Sequence, residues 1–225
     1  MSQFVILDNG IRVKPASQPE RAEFGATAIF LFSPDFTEIV TLYGSRFGNR
    51  KVPSGGIEEK DFAFGDKRIC GAAKRGAIRE LYEETGIPED RLAAVVQASN
   101  EDTIRGSMKR YYFVAIANER FEISPFRTKE EGKNHYVEGQ RWEKIANVLR
   151  GASHDGEKYN TLYSIALLRI LQEMHETAEF KESSEFQDLL VDLACSGITL
   201  DQQLATLEER KIREEAERSQ HRWQG

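Results

Sequence analysis

The run Arg79-Glu80-Leu81-Tyr82-Glu83-Glu84-Thr85-Gly86-Ile87 places three carboxylates on barely more than one helical turn. At about 100° per residue, Glu80, Glu83 and Glu84 lie along one helix face. Like charges at i, i+3 and i+4 repel by roughly 0.2 to 0.5 kcal/mol per exposed pair, so a helix that only has to fold gains nothing by collecting them. An oxygen-seeking cation reverses the sign. Mg²⁺ takes carboxylates and waters and bridges to substrate phosphates, which suits clustered Glu residues without His or Cys. Arg79 stands four residues before Glu83, where it can pair with it and orient it.

Outward from this run, Ala73, Ala77 and Leu81 repeat at i, i+4, which predicts a helix from about Gly71 to Thr85, stopped by Gly86 and Pro88. Upstream, Pro53, Gly55 and Gly56 rule out a regular helix but let backbone approach a ligand closely. Residues 57–69 read as a continuing loop.

Together these residues resemble the Nudix box, G-x5-E-x7-R-E-U-x-E-E-x-G-U with U aliphatic. Arg79 to Ile87 matches every fixed position of its second half, and Pro53-Ser54-Gly55-Gly56 is similar to its glycine-rich entrance. Two departures stand out. Gly56 and Arg79 are 23 positions apart where the pattern has 14, and Gly71 occupies the position of the box Glu eight before Arg79. Glu58, Glu59, Asp61 and Asp66 are all candidates to replace that carboxylate. The resemblance spans roughly residues 24–175. It implies an α/β/α sandwich around a mixed sheet and hydrolysis of a diphosphate bond, a phosphorus-containing acid anhydride. Glu80, Glu83 and Glu84 would be the Mg²⁺ or Mn²⁺ ligands, with the Gly56 carbonyl contributing and Arg79 part of the catalytic set. The family places its general base on the helix or on a later loop, where Glu130, Glu131 and Glu138 are candidates.

The flanking pattern is compatible with that fold. Phe4–Leu7 and Ile11–Lys14 around Asp8-Asn9-Gly10 read as a hairpin, and the apolar run Ala26–Phe32 as a strand buried on both faces with Glu38–Arg46 as its partner. Leu92–Ala98 and Arg110–Ala117 read as strands separated by 100–106, followed by a strand at Tyr136–Trp142, a helical turn at Ile145–Leu149 and an apolar-faced helix at Leu162–Met174. The expected organisation is a hydrolase domain over 1–178 and a C-terminal helical extension over 179–225. Ser184/Gln187 and Thr199/Gln202 resemble capping boxes there. A thin stripe of Leu200, Leu204, Leu207 and Ile212 fades into a charged, solvated helix, and these helices are candidates for a homo-oligomer contact.

Of 225 residues, 31 are Lys or Arg and 37 are Asp or Glu, giving a net charge of -6. This argues against broad nucleic-acid binding, and makes divalent cations the simplest means for an acidic chain to hold phosphates. Local basic groups are a second means. Arg46, Arg50 and Lys51 precede the glycines, and Arg105, Lys109 and Arg110 precede a strand; Arg50, Lys51 and Arg110 are the first choices for a phosphate clamp. Two cysteines, Cys70 and Cys195, are too few for a disulfide framework, and no apolar run approaches the ~20 residues of a membrane span. A cytoplasmic protein acting on a phosphorylated small molecule is therefore expected. Pro-x-Gly-Gly resembles the diphosphoinositol polyphosphate and dinucleoside polyphosphate branches of the family. The alternatives are an ADP-ribose or nucleotide-sugar pyrophosphatase, or a non-catalytic nucleotide sensor.

Overall fold

The computed structural model describes residues 5–6, 12–13, 24–45, 48–63, 69–105, 108–124, 128–129, 136–152 and 155–222. In chain order the elements are β1 (Val5–Ile6), β2 (Arg12–Val13), β3 (Ala26–Phe32), β4 (Glu38–Gly44), β5 (Asn49–Lys51), β6 (Ser54–Gly56), α1 (Ile69–Thr85), β7 (Leu92–Arg105) and β8 (Met108–Ala117). They continue with β9 (Thr128–Lys129), β10 (Tyr136–Lys144), α2 (Ile145–Arg150), α3 (Thr161–Glu176), α4 (Ala178–Lys181), α5 (Ser184–Cys195) and α6 (Leu200–Arg222). β1 and β2 pair antiparallel, as the hairpin reading expects, although the intervening turn lies outside the described residues.

Eight strands form one mixed sheet with the backbone order β7-β8-β3-β4-β10-β9. β3 runs parallel to β8 along its whole length but meets β4 only at Phe32 and Ile39. Beyond that hairpin the two strands diverge, and the gap is filled by β6 on β3 and β5 on β4. Residues 49–56 are thereby held between the two central strands, which is where the glycines and Lys51 belong.

Alternation along β3 divides the core. Ala28, Phe30 and Phe32 face a cluster with Tyr163, Leu167, Leu168 and Leu171 of α3, while Ile29 and Leu31 face Ala73, Ala77 and Leu81 of α1. Helices therefore cover both faces, and the architecture is the expected α/β/α sandwich. Small residues at 72, 73, 76 and 77 let α1 lie close to the sheet.

Two elements differ from the sequence reading. β7 is one strand through Arg105 instead of a strand and a loop, because register shifts between Gln97 and Glu101 and again before Arg105 keep the ladder to β8 intact through a polar stretch. The C-terminal helices also do more than extend into solvent. Phe186, Leu189, Leu193, Ile198 and Leu207 are buried in the same cluster as α3, so a division at residue 178 does not separate two cores. Phe36 adopts φ 58° at the tip of the β3–β4 hairpin, with its ring 5.7 Å from that of Phe180 and 6.2 Å from that of Phe186. A left-handed, non-glycine residue costs about 1 to 2 kcal/mol, which burial of an aromatic ring offsets. The cap of α5 lies one residue earlier than expected, at Ser183, which accepts from the Phe186 amide at 3.2 Å. On the outer faces of these helices Val191 and Ile212 are exposed.

Candidate active site

α1 carries Arg79, Glu80, Glu83 and Glu84 beside β6, and Arg79 is the node of the arrangement. Its Nε and Nη2 donate to the two carboxylate oxygens of Asp61, each at 3.0 Å. Nη2 also donates to the Gly56 carbonyl at 2.8 Å, and Nη1 to Glu80 Oε1 and Glu83 Oε2, both at 2.8 Å. The expected Arg79–Glu83 pair is present. Burial works against the guanidinium charge, but hydrogen bonding to Asp61 and the charges of Glu80 and Asp61 more than reverse this and hold its pKa above the usual value.

Of the four carboxylates that sequence spacing leaves open, Asp61 is the one among the described residues that accepts from Arg79 through both oxygens. It is only 3% exposed, ends a short 3₁₀ turn over Glu59–Asp61, and accepts from the Glu58 amide at 2.8 Å. Gly76 makes room for it, since a Cβ there would stand 3.0 Å from Asp61 Oδ2. Gly71, where the pattern has Glu, lies in the first turn of α1. Asp66 lies outside the described residues, and Glu58 approaches Arg79 only to 3.9 Å.

Glu80 is pressed against the glycine entrance. A Cβ on Gly55 would lie 2.1 Å from Glu80 Oε1, so the absence of a side chain at 55 creates the place where that carboxylate sits. Burial, and then the neighbouring Glu84 charge, push the Glu80 pKa up to about 7, with Arg79 pulling in the opposite direction. Glu84 is buried as well. Its Oε2 accepts from the Ser54 amide at 2.9 Å, its Oε1 from Lys51 Nζ at 2.6 Å, and its backbone carbonyl from Gln140 Nε2 at 2.7 Å. Glu83 is the most open of the three and also receives Lys60 Nζ at 3.1 Å.

The donor chemistry suits a hard divalent cation, because every group is oxygen and Glu80 and Glu84 raise each other's need for positive charge. The carboxylates are nonetheless engaged with Arg79, Lys51 and Lys60. Among the described residues no three Asp, Glu, His or Cys side chains converge on a common ion position. The Gly56 carbonyl faces Arg79 in this arrangement.

Of the three basic residues expected to meet substrate, Lys51 is in the site. Arg110 stands one side chain away: its guanidinium lies 5.4 Å over the Tyr163 ring, whose hydroxyl is 2.7 Å from Ser54 Oγ. Arg50 is a correction. It is 2% exposed and its guanidinium donates to Thr41 Oγ1 and carbonyl, the Gly139 carbonyl at 2.7 Å and Glu157 at 2.8 Å. Alternation within β5 explains the difference, since adjacent residues point to opposite faces and only Lys51 points toward α1. Glu138 pairs with Tyr43, on the sheet face shared by Thr41 and turned away from α1, while Glu130 and Glu131 lie outside the described residues. Lys60, Tyr163 and Gln140 were not legible as site residues, since each arrives from a separate element with no motif of its own.

No family model matches the chain, and no curated protein matches it. Similar solved structures include a Nudix hydrolase from M. smegmatis, RenU, at 16% identity and TM-score 0.45, covering 78% of this chain and 96% of that one. The E. coli dihydroneopterin triphosphate pyrophosphohydrolase is similar at 13% identity and TM-score 0.44, over 65% and 92% of the two chains. A C. elegans Ap4A hydrolase is similar at 16% identity and TM-score 0.36, over 56% and 83%. Among the described residues no helix is long and apolar enough to cross a membrane.

Proposed function

We propose that the chain is a Nudix-type pyrophosphohydrolase that cleaves a diphosphate bond in a phosphorylated small molecule. The observation that carries this reading is the joining of the two box halves: Arg79 binds the Gly56 carbonyl while Glu80 rests against Gly55, although 23 positions separate Gly56 from Arg79. The insertion therefore leaves the contact between glycine entrance and acidic helix intact.

Mg²⁺ or Mn²⁺ held by Glu80, Glu83 and Glu84 would supply charge neutralisation for phosphate oxygens and an acidified water. The chain's own residues prepare that chemistry. Arg79 fixes the rotamers of Glu80 and Glu83 while Asp61 fixes Arg79, so the face is ordered before ligand arrives. Gln140 and the Ser54 amide orient Glu84. Lys51 and Arg110 supply positive charge toward substrate phosphates, and a diphosphoinositol polyphosphate or dinucleoside polyphosphate offers enough of them to use both. A homo-oligomer through the exposed faces of α5 and α6 belongs to the same proposal and is read by sedimentation.

The test is incubation with Mg²⁺ and a panel of dinucleoside polyphosphates, diphosphoinositol polyphosphates, ADP-ribose and nucleotide sugars, with products identified by mass. Turnover of phosphate-rich compounds supports the first substrate reading, and turnover of ADP-ribose or a nucleotide sugar alone favours the other branch. Binding without turnover across the panel identifies a sensor.

A further inference from the structure

Every carboxylate of the acidic face is already matched by a side-chain cation of the same chain: Glu80 by Arg79, Glu83 by Arg79 and Lys60, and Glu84 by Lys51. Lys51 differs from the others. The Lys60 side chain is 56% exposed and remains hydrated, and Arg79 is anchored elsewhere by Asp61. Lys51 is 13% exposed, its partner Glu84 is 7% exposed, and besides that carboxylate the ammonium has the Ser54 carbonyl at 3.3 Å. A buried ammonium on a flexible four-carbon stem must keep an anionic partner but can exchange one for another nearby.

Resting on the hydrolase reading, we infer that Lys51 is the resident counter-cation of Glu84, and that it passes from this carboxylate to a substrate phosphate oxygen when a divalent cation takes Glu84. Two cations compete for Glu84 Oε1, and the one that yields is tethered. Its stem runs over Gly44, with Cε 3.5 Å from where a Cβ there would be, so the head group pivots beside Ser54 without leaving the site. Metal loading would thus create a phosphate subsite that the metal-free protein lacks. This distinguishes Lys51 from a standing clamp, which binds anions whether or not metal is present.

The experiment measures Mn²⁺ affinity by electron paramagnetic resonance, and affinity for methylenediphosphonate, a diphosphate that cannot be hydrolysed, with and without saturating Mn²⁺. Wild type is compared with Lys51→Met, and with Lys51→Gln as a second variant able to hydrogen-bond Glu84; near-UV circular dichroism verifies that each is folded. Removing the competing ammonium should tighten Mn²⁺ binding about tenfold or more, the equivalent of one charge-assisted contact. Methylenediphosphonate affinity should fall by about the same factor in the presence of Mn²⁺, and be unchanged in its absence. Equal Mn²⁺ affinity in wild type and both folded variants overturns the inference, as does an equal loss of diphosphonate binding with and without Mn²⁺. Absence of Mn²⁺ uptake by wild type and variants alike removes the hydrolase reading and this inference with it.

Discussion

Asp61 and Arg79 are 18 residues apart in sequence and meet through two parallel 3.0 Å contacts, one to each carboxylate oxygen. Because Asp61 is buried and the Arg79 side chain only 13% exposed, breaking the pair from either side strands a charge. Asp61→Asn should therefore destabilise the fold by about 3 to 5 kcal/mol and release Glu80 and Glu83 from their fixed rotamers. Urea unfolding gives the first effect and Mn²⁺ titration the second. Asp61→Glu should not restore either, since the extra methylene shifts the carboxylate out of the two parallel contacts with Arg79. A stable Asp61→Asn variant with wild-type Mn²⁺ affinity would show that Arg79 is positioned without it.

Gly55 and Glu80 give the complementary test. Gly55→Ala drives a methyl group into the Glu80 carboxylate and should abolish turnover and metal uptake. The clash is with a side chain, so removing that side chain relieves it. Gly55→Ala combined with Glu80→Ala should be more stable than the sum of the two single losses, with an interaction energy of about 1 kcal/mol or more in a double-mutant cycle. Additive losses would place the cost in the β6 backbone instead.

The Glu80 pKa of about 7 has a consequence for stability against pH. The folded protein holds this proton more tightly than the unfolded chain, whose value is near 4.5. The group's stabilising contribution is therefore complete below pH 4.5 and is lost as pH rises through 7. Glu80→Gln remains neutral throughout. The difference in Tm between wild type and Glu80→Gln, measured in metal-free buffer from pH 5 to 8, should shift steadily against wild type. A constant difference would mean that Glu80 is ionised across the range.

What could be read from sequence was whatever repeats within one element. The acidic face of α1, its capping glycine and the two-sided burial of β3 follow from periods of 3.6 and 2, and were legible. Long-range partners were not. Asp61 lies five positions after Gly56 where the pattern has six, so spacing could not separate it from Glu58 or Glu59; its two contacts to Arg79, formed across 18 residues, do so. Arg50 and Lys51 look alike as neighbours in sequence, and their opposite fates depend on which face of β5 each occupies. The divergence of β3 from β4, which admits β5 and β6 to the middle of the sheet, leaves no signature in either strand.

Arg50 provides a prediction opposite to the clamp it resembles. Its guanidinium joins Thr41 of β4, Gly139 of β10 and Glu157, so Arg50→Met should lower stability by about 2 kcal/mol or more through stranded acceptors. The KM of the folded variant for any phosphorylated substrate should stay within about twofold of wild type, since no contact to ligand is lost. Lys51→Met, in contrast, should show a large KM effect in the folded variant. A tenfold KM increase in a folded Arg50→Met variant would return Arg50 to the substrate surface.

The C-terminal helices supply the last prediction. Truncation after residue 178 removes Phe186, Leu189, Leu193, Ile198 and Leu207 from the core and uncovers Phe36 at the hairpin tip. At about 1.5 to 3 kcal/mol per buried side chain, the five removed residues together account for about 7 kcal/mol or more, as much as the whole stability of many domains. The truncated chain should lose its cooperative thermal transition and bind a hydrophobic dye. A shorter cut after Leu207 separates the apolar contribution from the polar one. It keeps all five apolar residues but removes Arg210 and Glu214, the latter of which accepts from Thr161 Oγ1 at 2.8 Å at the start of α3. The segment just before Thr161 is hydrogen-bonded to Arg50 through the Lys158 carbonyl and the Asn160 amide, next to Lys51. This shorter chain should remain folded with a Tm lowered by several degrees, about 1 kcal/mol for each lost polar contact. A cooperative, full-height transition after the cut at 178 would show instead that α1 and α3 with the sheet suffice, and that the C-terminal helices only cover a finished fold.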